Sequence, residues 1–353
     1  MTNCSQAKKQ IGSLMCIGKK RRIYLLLICT VFLFISCPVQ AQLSEAKTPS
    51  DVFSVLELLD RKLTIVMENR KISQDKIVSF ELRDSDLKPM HVYQLHLACI
   101  EQLREFQRSV KISEIPLVVA APRSFKPIDV LHVSEMLLQA VDRTGKILQI
   151  DSLPMDRGSF SGKTPTDVFE ELLPVLAKLF ALNGKSRISP SEVYAQSIRA
   201  RFDAQEIISV VAMSEKHSER RRELQASAFG MNIDGNHLVI DEATNKTPAD
   251  ALRNCQSIRR TLDQVFRQID SAQTNLNQHQ SKKVRPADVF IQTQLIIAEL
   301  NILKKLTATT AITRPTMPAE NMTPRDVCGQ LIWTSYILEA LLKHHQVPKQ
   351  FAH

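Results

Sequence analysis

TPSDVF, residues 48–53, returns as TPTDVF from Thr164, as RPADVF from Arg285 and in five looser copies. The copies index on Pro49, Pro89, Pro127, Pro165, Pro190, Pro248, Pro286 and Pro324, at spacings of 40, 38, 38, 25, 58, 38 and 38 residues. Two residues after the proline stands Asp51, Asp129, Asp167, Glu192, Asp250, Asp288 or Asp326, with His91 as the exception. The next position is valine in every copy but one, which has Ala251, and Cys328 departs from the apolar or aromatic residue that follows. A recurring period of this size marks units that bury their apolar faces against one another.

Each copy reads as the start of a helix. Thr48, Thr164, Ser189, Thr247 and Thr323 stand where a side-chain oxygen accepts from the free N–H groups of a first turn. Proline at the first helical position loses nothing, because its missing N–H would have no partner there. The acid in the third position bonds back to the cap and suits the positive end of the helix dipole. Lys88, Lys126 and Arg285 replace the cap residue, which predicts weaker starts in those copies. Capping explains both the type and the place of the repeated acids, so they are not read as a metal or catalytic array.

The residues 3, 7, 10, 14 and 17 places past each proline form an apolar row. In the first copy it is Val52, Leu56, Leu59, Leu63 and Val66; in the fourth, Val168, Leu172, Val175, Leu179 and Leu182. In the seventh it is Val289, Thr293, Ile296, Leu300 and Leu303. Steps of four and three give a two-per-heptad stripe, the pattern of helices packed nearly along one another. The fold expected is all-α. Its eight helix-start repeats of about 38 residues make one or two helical bundles, or a short helical array, with long partly extended connectors.

Connector length bears on topology. Only residues 181–187, ALNGKSR, separate the fourth and fifth helices, and Asn183-Gly184 is a fitting stop, so an antiparallel hairpin is expected there. The other connectors include apolar or proline-marked stretches at 76–83, 115–122 and 307–318. They are long enough to run back along a helix and leave neighbouring helices parallel, or to hold short caps. The fifth helix is expected to continue to about Leu224, with the charged 214–223 exposed. Residues 228–246, which hold Gly230, Gly235 and HLVID, read as a loop or small hairpin. Domain division follows as residues 43–187 with repeats one to four and 188–353 with repeats five to eight.

Residues 1–41 read as a cleaved secretory signal peptide: a basic cluster at 19–22, an uncharged run at 23–36, then Pro38, Val39, Gln40 and Ala41. A lipid-anchoring alternative at Cys37 meets a bulky Phe34 where leucine is usual. Without that segment 40 basic and 37 acidic residues remain, so the net charge of +9 falls to +3 and gives no case for nucleic acid. Cys99, Cys255 and Cys328 remain of the seven cysteines, an odd and scattered set rather than a disulfide framework.

No motif with a reaction mechanism is present: no phosphate-binding glycine loop, G-x-S-x-G, H-E-x-x-H or C-x-x-C. His91 and His96 lie five apart, a poor spacing for one helix face, and His344 and His345 are adjacent. RRRE at 220–223 and KKVR at 282–285 read as solvated faces. The sequence assigns no catalytic, cofactor-binding or metal-ligating residue and implies no cofactor. The expected protein is exported, periplasmic in a Gram-negative envelope or secreted, and acts as a non-catalytic interaction or scaffold module for a protein partner. Two other readings stay open. One is a sensor or carrier of a small apolar or amphiphilic ligand, with room beside Ser197, Ala200 and Ala204; the other is an enzyme with its site near 228–246.

Overall fold

The structure, a computed structural model, describes residues 46–343 except 83, 151, 230–244, 271–282, 314 and 317–318. Residues 1–41, expected to be a signal peptide, the four cysteines within them, residues 230–244 of the expected loop, His344 and His345 lie outside the described residues. The described residues from Lys47 onward form one compact unit.

Among the described residues the fold is all-helical. Eight helices open on the repeated prolines: α1 Pro49–Asn69, α2 Pro89–Ser109, α3 Pro127–Ile147, α4 Pro165–Leu182, α5 Pro190–Ser214, α7 Pro248–Asp270, α8 Pro286–Leu306 and α9 Pro324–Lys343. A ninth, α6 Ser218–Ala228, follows α5.

At every proline-led start the third-position side chain accepts the backbone N–H of the cap residue. Asp51 accepts from Thr48 at 2.8 Å, Asp129 from Lys126 at 2.8 Å, and Asp288 from Arg285 at 2.8 Å. His91 does the same work, its Nδ1 accepting from Lys88 N at 2.9 Å. The reciprocal bond to a cap side chain is formed at Thr164, at 3.2 Å, and at Ser189 and Thr247, both at 3.4 Å. Lys and Arg at the cap therefore forfeit only the second bond of the pair. The cap bonds hold the carboxyls of Asp51, Asp167, Asp250 and Asp326 below the usual carboxylate range.

Helix ends repeat as well. Lys71, Lys111, Gln149 and Ala308, each 22 residues past its proline, take φ of 55, 59, 59 and 53°. The following residue then donates to the carbonyl five back: Ile72 to Met67 at 2.9 Å, Ile112 to Gln107 at 2.8 Å and Ile150 to Gly145 at 3.0 Å. This left-handed stop satisfies the last carbonyls and turns an isoleucine inward. At Asn183-Gly184 the same stop uses glycine, φ 74°.

The apolar rows of the first, fourth and seventh copies are buried throughout. Helix α1 packs on α3 and α4, and α2 packs on the same two; α5 packs on α8 and α9, and α7 on the same two. Pro49, Val52, Pro89, Val92, Pro127, Val130, Pro165 and Val168 line one small pocket. The corresponding prolines of α5, α7, α8 and α9, with Val193, Ala251, Val289 and Val327, line another. Four N-termini thus meet at one end of each set, so the four helices of a set run the same way. Paired side chains agree: His96 and Ser134 each lie seven residues past their prolines, as do Cys255 and Thr293. Parallel packing gathers four positive helix ends, and the acid in the third position offsets them.

Connectors return along the helices. Residues 156–163 run back beside α1, with Ser50, Ser54 and Arg61 bonded to Lys163, Gly158 and Asp156 in turn. The chain after α8 runs back beside α5, where Ser191, Ala195 and Asp203 meet Met322, Thr316 and Thr313.

Two expectations are corrected. Helices α4 and α5 are not a hairpin: α4 packs on α1 and α2, whereas α5 packs on α6, α8 and α9. Seven residues give no room for a parallel crossover, so the chain leaves one set and enters the other. Helix α5 also stops at Ser214 instead of Leu224. Glu215 is extended, with φ −73° and ψ 127°, and its carbonyl takes the Arg221 guanidinium. No apolar stripe crosses residues 214–218 to hold the helix straight. The stretch expected as a loop from 228 starts inside α6.

Candidate functional site

The groups best suited to chemistry lie inside the helix sets. His96 is fully buried; its Nδ1 donates to Val92 O at 2.9 Å and its Nε2 faces Ser134 Oγ at 2.7 Å. Burial pushes its pKa down to about 4, so the ring is neutral. The pair resembles a nucleophile and base, but both residues are 0% exposed, so no substrate reaches them. Cys99, Cys255 and Cys328 are free and buried. Burial raises all three thiols, Cys255 to about 12 and Cys328 to about 11, which keeps them unreactive. Among the described residues no three His, Cys, Asp or Glu side chains are placed to hold a metal ion.

Buried ion pairs tie helices within each set. Lys62 on α1 bonds Asp142 on α3, and Lys304 on α8 bonds Asp203 on α5. Thr313 also donates to Asp203 at 2.6 Å. Burial still pushes the Asp203 carboxyl up, against the pull of Lys304 and Thr313.

A second polar group lies where the sets join, along α2 and α8. Arg259 of α7 bonds Glu299 at 2.8 Å, and also Asp84 and Gln292. Burial opposes the Glu299 charge, but Arg259 and His91 outweigh it and hold the carboxyl below its usual range. His91 Nε2 stands 3.8 Å from Glu299 Oε1, and Gln94 Nε2 donates to Gln294 Oε1 at 2.9 Å. Counted from their prolines, His91 and Gln94 lie two and five residues in, their partners thirteen and eight, so α2 and α8 are antiparallel. His91 Nε2, Gln94 Oε1, Gln294 Nε2 and Glu299 Oε2 are buried with no partner among the described residues. At about 1–3 kcal/mol each, four such atoms cost on the order of 4–12 kcal/mol if kept dry.

The open feature is a cleft of about 410 Å³ on α5, walled by the end of α6 and the chain after α8. Phe202, Asp203, Gln205, Glu206 and Ser209 supply its α5 side, Ala228 and Phe229 one wall, and Ile312, Pro315 and Thr316 the other. Phe202, Phe229 and Ile312 are 40, 63 and 44% exposed. Large apolar side chains gathered in the open mark a contact surface more than scattered ones do. The Arg201 guanidinium lies over both the Phe202 and the Trp333 ring, at 4.9 and 4.6 Å from their centroids.

The positions that depart from the repeat fall elsewhere. Ala251 lines the second proline pocket, Cys328 is core, and His91 belongs to the joint. Ser197, Ala200 and Ala204, expected to leave space on an inner seam, are 0% exposed, and Ser197 donates to Val193 O at 2.9 Å. No sequence signal named Phe229 or Ile312, because their meeting depends on how α6 and a connector fold back.

Comparison with family models, curated proteins and solved structures finds no match.

Proposed function

We propose that this is an exported, non-catalytic helical-repeat protein that serves as an interaction or scaffold module, with the α5 cleft as its contact surface. The chain then consists of two copies of one four-helix unit, within residues 43–187 and 188–353. Corresponding positions carry like contacts: His96 with Ser134 matches Cys255 with Thr293. Thirteen residues past the first proline of each unit, Lys62 and Asp203 each bond an opposite charge on the third helix, Asp142 and Lys304, which stand 15 and 18 residues past their own prolines.

The observation that carries the reading is a difference between these copies. Twelve residues past its proline, α1 has Arg61, which reaches across to Asp156 O at 2.6 Å and bonds Glu57. At that place α5 has the exposed Phe202, facing Ile312 and Phe229 across open space. Where a repeated unit trades a closing polar contact for apolar exposure, packing does not supply the reason and binding does.

The test is affinity capture from envelope extract with the mature chain and with Phe229→Asp. A partner held by the first and lost by the second, at equal melting temperature, supports the reading. Equal capture by both removes the cleft from it. A second reading, a carrier of a small apolar or amphiphilic ligand, is favoured by the cleft's volume, which falls in the range of ligand sites. Native mass spectrometry of the purified chain distinguishes it by a bound small molecule that Phe229→Asp releases.

A further inference from the structure

Arg199 stands where packing alone asks for an apolar side chain. It lies nine residues past Pro190, and the matching residue of α1, nine past Pro49, is the buried Leu58. Arg199 is nonetheless only 5% exposed. Its Nη1 meets Glu101 Oε1 on α2 at 2.8 Å and Gln196 Oε1 at 3.2 Å. Its Nε donates to Thr316 Oγ1 at 3.0 Å and its Nη2 to Thr316 O at 3.1 Å. Thr316 is a wall of the cleft, and Glu101 belongs to the other helix set, on the same α2 stripe as Gln94.

One planar guanidinium thus holds the cleft wall on one edge and the neighbouring set on the other. Its five donors keep a fixed fork, so turning towards one partner draws it from the other. The joint it reaches holds buried polar atoms on both α2 and α8 with no partner among the described residues, so its side chains have hydrogen bonds still to gain by moving.

We propose that Arg199 couples the cleft to the α2–α8 joint, so that filling the cleft and rearranging the joint bias each other. The inference rests on the cleft being the contact surface, and such coupling is reciprocal.

The test needs no ligand. Ala98 lies between Gln94 and Glu101 on the α2 stripe and is 4% exposed, so the labelling rate of an Ala98→Cys thiol reports opening of the joint. The native thiols are buried and stay silent. Ser209→Phe fills the cleft from α5 and acts as the occupant. With Arg199 present, the filler is expected to change the labelling rate at least threefold. With Arg199→Leu, which copies the matching α1 residue, it is expected to change it less than 1.5-fold. Glu101→Gln, which cuts the clamp from its exposed end, serves if the leucine variant does not fold. An equal filler effect with and without the clamp, or none in either, overturns the coupling while leaving the cleft's binding role standing. A failed capture experiment, conversely, leaves this cycle readable.

Discussion

Replacing His91 with aspartate restores the acid that the seven other copies carry, yet the structure predicts a loss of stability. His91 accepts the Lys88 N–H through Nδ1, so it caps α2 without bringing a negative charge. Its other face lies 3.8 Å from Glu299, in a group where Arg259 pairs with the carboxylates of both Asp84 and Glu299. An aspartate there sets a second carboxylate about 6 Å from Glu299, a repulsion of about 3 kcal/mol at an effective dielectric constant near 20. A better charge at the helix N-terminus returns about 0.3–1 kcal/mol. The expected net loss for His91→Asp is about 2 kcal/mol, read by urea unfolding at pH 7. His91→Asn, whose amide oxygen accepts the same N–H, should lose less than about 1 kcal/mol. In His91→Asp with Glu299→Gln the repulsion disappears, so the two changes should couple by about 2–3 kcal/mol. The reasoning is refuted if His91→Asp matches or exceeds the parent, or if the double variant is simply additive.

Three further outcomes follow from single residues. The folded pKa of His96, about 4, lies below its ordinary value, so its contribution is present at neutral pH and lost as pH falls from about 6.5 towards 4. Urea melts across that window should show a decline of about 3 kcal/mol that His96→Leu removes. The Glu171 carboxyl is raised to about 7, by burial first and then by Asp60 and Glu57. A raised carboxyl favours the fold below its unfolded value near 4.5, and that advantage is lost as pH rises through 7. Glu171→Gln should therefore raise stability by about 1 kcal/mol at pH 8, after discounting for partial exposure, and leave it unchanged at pH 4. Lys111 holds φ of 59° at the end of α2, and Lys111→Gly should gain about 0.5–1 kcal/mol in the same assay.

The helix starts were legible because a cap, a proline and an acid act within four residues. The apolar rows were legible because burial of one face imposes its own period on the chain. The left-handed stops were missed apart from Asn183-Gly184, since at Lys71, Lys111 and Gln149 the residue carries no glycine to announce the turn. Their signal was the isoleucine that follows, at Ile72, Ile112 and Ile150. The length of α5 was overread because charged residues are compatible with a helix, and the break at Glu215 comes from a missing stripe rather than a breaker residue.

The cleft was not legible at all. Phe202 stands 12 residues past its proline, off the apolar row, and one off-row apolar residue is ordinary on a helix surface; Phe229 and Ile312 belong to chain that no periodicity governs. Local chemistry dictates where each of eight helices begins and which face it buries, because capping and amphipathicity act within a few turns. Direction, partner and exposure come from contacts between residues far apart in the chain: four N-termini gathered at each proline pocket, α2 against α8, Arg199 between Glu101 and Thr316. The repeated TPSDVF motif says how this protein builds helices. The place where its second half leaves apolar surface uncovered emerges only when those helices are packed.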